Sequence, residues 1–143
     1  MSTPSAAPDS LPSPRGDRWF DYDYAIVRVV PHVHLGTFVN VGVVLHARTA
    51  RYLGLRFVSD LDRLALHGAL DTALLRQHFE AYEHVSRGGA EAGPIGLLPP
   101  SERFHWLTAP RSAVLQTSEV RTGRTQAPEA TLHRLFAAHV QEK

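Results

Sequence analysis

The stretches DYAIVRVVP at residues 23–31 and FVNVGVVLHA at 38–47 decide the fold. In the first, apolar residues occupy both alternating faces except at Arg28, and Pro31 ends the run, as in a strand buried on both sides. This predicts a central strand over 22–30. In the second, side-chain alternation sets Val39, Val41, Val43 and Leu45 on one face and Asn40, Gly42, Val44 and His46 on the other. A turn through 48–50 leads into RYLGLRFV at 51–58, where Leu53, Leu55 and Phe57 oppose Tyr52, Gly54, Arg56 and Val58. Three strands so joined read as an antiparallel meander.

Beyond the meander the period changes. Ser59 stands three residues before Asp62, as in a loose capping box, and Gly68 can end a helix, so a short helix is expected over 60–67. DTALLRQHFEAYEHVSRGG at 71–89 offers Asp71 or Thr72 as N-cap, a stripe of Leu75, Phe79 and Tyr82 joined by Leu74 and Val85, and a stop at Gly88 and Gly89. The Gly- and Pro-rich run 88–102 reads as a surface loop. FHWLTA at 104–109 and SAVLQTSEV at 112–120 read as two strands around Ala109, Pro110 and Arg111. Pro128 suits a first helical position, and Leu132, Leu135, Phe136 and Val140 then form a core-facing stripe. The expected fold is α+β: an antiparallel sheet of about five strands, a meander plus a C-terminal hairpin, with two main helices packed on it.

The chain of 143 residues suits one domain. Residues 1–18, with Pro4, Pro8, Pro12 and Pro14, are expected to be a flexible tail, and 19–143 the domain. No basic start followed by an apolar run marks a secretory signal, so the chain is expected in the cytoplasm. No apolar run reaches the roughly 20 residues of a membrane span. With no cysteine, disulfides, thiolate metal sites and cysteine nucleophiles are excluded. The net charge of +1, with arginines spread among acids and no basic-aromatic pattern, argues against a nucleic-acid partner.

YAIVRVVP followed by FVNVGVVL, then FHWLTAPRSAVLQ, VRTG and PEATLHRLF, in that order from about residue 22 to 140, resemble an uncharacterised bacterial family known as domain of unknown function 3037. Two positions depart from the family pattern: Thr37 stands where an acidic residue is usual, and Arg121 where a histidine is. The resemblance implies no established activity. It implies a protein partner, because members are sometimes encoded beside a kinase-like protein of the toxin type.

Two polar groups of residues are candidate sites. If the polar faces of the three strands coincide, Gly42 and Gly54 leave a depression ringed by Arg28, Asn40 and Arg56, where guanidinium forks and an amide can clamp a phosphate or carboxylate. Alternatively, the glycines admit close packing and the arginines pair with Asp21, Asp23 or Asp60. The second group is Arg111, Ser112, Gln116 and Thr117 beyond Trp106, whose side chains and backbone amides can converge on an anion, unless Ser112 simply bonds the backbone after Pro110. His32 and His34, with His46 across the hairpin, lack a carboxylate at ligand spacing, so no metal or cofactor is expected. No GxSxG, phosphate-loop or dinucleotide motif is present. The leading expectation is a non-enzymatic binding module that works with a partner protein. The alternative is an enzyme or sensor that holds a small anionic metabolite or nucleotide through Arg28, Asn40, Arg56, Arg111 and Ser112.

Overall fold

The computed structural model describes residues 18–30, 38–61, 71–112 and 114–140. The expected tail apart from Arg18, the His32 and His34 pair, Thr37 and most of the expected helix over 60–67 lie outside the described residues. Five strands, β1 Phe20–Val29, β2 Val39–Ala47, β3 Tyr52–Phe57, β4 Leu115–Thr117 and β5 Arg121–Thr125, form one antiparallel sheet. The helices are α1 Thr72–Arg87, α2 Pro100–Thr108 and α3 Pro128–His139, with a 3-10 stretch Ala90–Leu97 broken at Gly93 (φ 71°) between α1 and α2. The α+β expectation holds.

β1 is central, with β2 on one side and β3 beyond it. On its other side β5 pairs with residues 20–24 and β4 with residues 27–29, end to end. Between them the Ser118 hydroxyl accepts the Ile26 N–H (2.9 Å) while its own N–H donates to the Ile26 carbonyl (2.8 Å), so one side chain carries the ladder across the gap. The C-terminal segment is therefore one interrupted edge strand, and the expected hairpin gives way to it.

FHWLTA, read as the hairpin's first strand, is the end of α2. Over six residues Phe104 and Trp106 fit a strand as well as Phe104 and Leu107 fit a helix. Pro100 at the helix start and Glu102 in its first turn decide for the helix, and Phe104 and Leu107 are its buried pair.

The sheet is covered on both faces. Ala25, Val27, Val29, Val44 and Phe57 pack under α1 and α2, with Leu75, Phe79, Tyr82, Val85 and Leu107. Phe20, Tyr22, Ile26, Val43 and Leu45 pack under α3 with Leu132, Leu135, Phe136 and Val140. Asp71 caps α1 by accepting the Leu74 N–H (3.0 Å), and Gly88 with φ 80° ends it. Leu74, expected in the α1 stripe, is 47% exposed, because it falls outside the arc that Leu75, Phe79 and Tyr82 define.

The two-face pattern expected for β2 breaks at one residue. Val27 opposes Gly42 but Arg28 opposes Asn40, so Val41 is the extra residue of a β-bulge. Val39, Val41 and Val44 belong to the α1 and α2 side, whereas Val43, Leu45 and Ala47 belong to the α3 side. The bulge thus moves Asn40 to the face opposite Gly42 and next to Arg28. Neither glycine leaves a hollow. A methyl group on Gly42 would lie 2.6 Å from the Phe57 ring, and the Tyr52 ring lies over Gly54.

Candidate functional site

Arg28 stands between Asn40 on β2 and Gln116 on β4, opposite both, so the three form one row across the sheet on the α3 side. Arg56 joins them on that side of β3. The row ends against the C-terminus of α3. The Asn40 amide donates to the carbonyl of His139 (3.0 Å), one of the helix-end acceptors that lack a partner within the helix. That bond fixes the amide's orientation and leaves its Oδ1, buried, without a partner among the described residues, as is the Nε of Arg28. The Arg28 guanidinium lies over the exposed Phe38 ring at 4.2 Å.

Arg56 is likewise engaged. Its guanidinium lies 4.1 Å over Phe136 and donates to His133 Nδ1 (3.0 Å). Accepting there puts the neutral ring's proton on Nε2, which faces Glu129 at 3.9 Å. Asn40 and Arg56 therefore fasten α3 to the sheet. Close packing, the competing reading, accounts for the glycines, and the two arginines lie over aromatic rings, with no ion pair to Asp21 or Asp23 among the described residues.

Arg111 is on the other side of the sheet. It lies 3.8 Å over Trp106 and donates to that residue's carbonyl (2.6 Å), while Trp106 packs edge-on to Tyr82 at 5.6 Å. Burial raises the Tyr82 hydroxyl above its ordinary value, and the Arg111 guanidinium beside it pulls the other way. Ser112 does what serine in a turn commonly does: its hydroxyl accepts the N–H groups of Val114 (3.1 Å) and Leu115 (3.3 Å). Thr117 donates to the Thr108 carbonyl (3.1 Å). The candidate residues thus divide, with Arg28, Asn40, Arg56 and Gln116 on one face and Arg111 and Ser112 on the other, and they do not meet in one pocket.

Two concavities on the α1 and α2 side contain residues the sequence reading did not select. The first is a groove of about 390 Å³ between α1, the 3-10 stretch and α2, with Ala81, Val85, Ala92, Ile95 and Trp106 as its apolar lining and Glu80 and Glu91 among its polar residues. Arg103 builds its walls, donating to the Val85 and Ser86 carbonyls at the end of α1 (2.9 Å each) and to the Leu98 carbonyl (2.9 Å). The second is a cleft of about 370 Å³ along the side of α2 that carries Ser101, Phe104, His105 and Thr108, bounded also by β1 and β2. There His46, 6% exposed, stacks on Phe104 at 5.5 Å, and burial holds its imidazole below the ordinary value against the opposing pull of Asp23. The sequence signal for the cleft was Asp21 and Asp23, charges on the face that Ala25 and Val27 continue as core. Among the described residues no group of three or more His, Cys, Asp or Glu could hold a metal ion, and no helix is long and apolar enough to cross a membrane.

Fold and surface together define a small α+β domain whose antiparallel sheet is clad on both faces. The chain belongs to the family described as Protein of unknown function (DUF3037), whose model matches residues 24–140. No curated protein and no solved structure matches it.

Proposed function

We propose that the protein is a non-enzymatic binding module that receives a segment of a partner polypeptide in the groove between α1 and α2. The observation that carries this reading is the groove itself: an apolar lining of Val85, Ala92, Ile95 and Trp106, with the exposed Arg111 guanidinium lying over the Trp106 ring. Tryptophan, tyrosine and arginine are the residue types that dominate binding energy at protein interfaces. Glu80 and Glu91 favour a segment that places a basic residue beside an apolar anchor. The kinase-like protein implied by the family's gene context is the first partner to test. The alternative, an anion clamp, draws less support, because its residues are divided between the two faces and Asn40 and Arg56 are occupied with α3.

The test is native mass spectrometry of the tagged protein, purified gently from its own host, beside an Ala81→Glu variant. Ala81 is an exposed helical position in the groove, where a carboxylate blocks entry without disturbing the core. A stoichiometric second polypeptide on the wild type, lost from the variant, supports the module. A partner that the variant retains, a small adduct on a lone chain, or a bare chain counts against it.

A further inference from the structure

The cleft along the Ser101, Phe104 and Thr108 side of α2 shares no lining residue with the groove and has a different chemistry. Asp23 on β1 stands directly opposite His46 on β2, and Arg48 follows two residues after His46 where the strand enters its turn. All three line the cleft, with Ser101 and Phe104 of α2 as the opposite wall. Asp21, also at its edge, is matched by Arg124 of β5 at 3.5 Å. His46, buried against Phe104 and held below its ordinary value, contributes a neutral imidazole at neutral pH. What remains is one carboxylate, Asp23, and one guanidinium, Arg48, neither in an ion pair among the described residues.

A ligand with a single charge of either sign would match one of these groups and crowd the other. A small molecule with both charges matches both, and the cleft is within the volume range of small-molecule sites. We propose that this cleft binds a zwitterion of amino-acid size, its ammonium against Asp23 and its carboxylate against Arg48. The uncharged imidazole of His46 and the hydroxyl of Ser101 supply the hydrogen-bonding wall.

The test is a titration of the full chain followed through the His46 imidazole resonances and the melting temperature. The probes are the standard amino acids at about 10 mM, a concentration that detects millimolar affinity, with ethylammonium and acetate as single-charge controls. At least one amino acid is expected to shift the His46 signals and raise the melting temperature, and neither control to do so. Asp23→Asn and Arg48→Gln are each expected to weaken that binding about tenfold or more, the scale of one lost charge-assisted contact, with the melting temperature of the free protein unchanged. Ser101→Ala, which leaves both charges in place, is the second variant should either of those fail to fold, with a smaller loss expected. Silence of His46 toward every amino acid, an equal response to one control, or unchanged binding by the variants would overturn the proposal.

Discussion

Two arginines in this protein stack on two aromatic rings at nearly the same distance, Arg56 on Phe136 at 4.1 Å and Arg111 on Trp106 at 3.8 Å. Phe136 is a core residue, 3% exposed, and the guanidinium over it also bonds His133 of the same helix. Trp106 is only partly buried, it borders an open groove, and the guanidinium over it is exposed. One contact closes a helix onto a sheet and the other furnishes a surface. The residue pair alone does not decide the role; what surrounds the ring does.

The comparison breaks most visibly at the rings. Phe136→Ala removes a buried aromatic from under α3 and is expected to cost about 3–5 kcal/mol, measured by urea unfolding. A loss below about 1 kcal/mol would mean that α3 is not part of the core. The polar clamps of the same face come next. Arg56→Ala loses a ring contact and a hydrogen bond together, for about 1–2 kcal/mol. Asn40→Ala loses the bond to the end of α3 but also removes a buried, unpartnered oxygen, so its cost should stay near or below about 1 kcal/mol. If Asn40→Ala proves as damaging as Phe136→Ala, the amide has a further partner.

Strand and helix elements with a long clear period were legible from the residues. β1, β2, β3, α1 and α3 were all expected within two or three residues of where they stand, because each carries its own cap, turn or alternation. α2 was not, since six residues of FHWLTA suit both periods and the deciding Pro100 and Glu102 lay in a run read as loop. β5, RTGRT, has almost no apolar pattern, because an edge strand with charged side chains facing water needs none. The make-up of the candidate site turned on a single residue, which set Asn40 beside Arg28 and Gly42 on the opposite face. The Val41 bulge reverses the faces of β2, and a bulge inserts a residue without altering composition or hydrophobicity, so alternation counted from the sequence runs straight through it. Arg28 and Asn40 stand out in the sequence as polar interruptions of apolar strands, but their neighbours depend on that register.

The α2 side carries a group whose burial makes stability depend on acid. On the α2 side His46 is held below its ordinary 6.5, first by burial, with Arg48 and Arg103 adding to the effect and Asp23 opposing it. The unfolded chain therefore takes up this proton before the folded one does. Its contribution to stability is complete above the unfolded value and is lost as pH falls from there toward the lower folded value. The urea midpoint of the wild type should drop across that window, and that of His46→Phe, which keeps a ring against Phe104, should drop less. Equal slopes would show that another group governs the acid response.

The smallest stability effect is the one that sharpens the comparison furthest. Arg111 is exposed, so losing its ring contact and its hydrogen bond to the Trp106 carbonyl while Trp106 stays packed on Tyr82 should cost only about 0.5 kcal/mol, the low end for an exposed stacked cation. If the groove receives a polypeptide, the same substitution should weaken that binding by about 1–2 kcal/mol, or roughly five- to thirtyfold, because an arginine stacked on a tryptophan at an interface is desolvated there and not in the free protein. Arg56→Ala should do the reverse, with a clear cost in stability and binding unchanged once the protein is folded. A binding assay and a urea titration on these two variants therefore separate fastening from recognition. Should both behave as Arg56 is expected to, Trp106 and Arg111 belong to the packing of α2 and the groove is only a seam between helices.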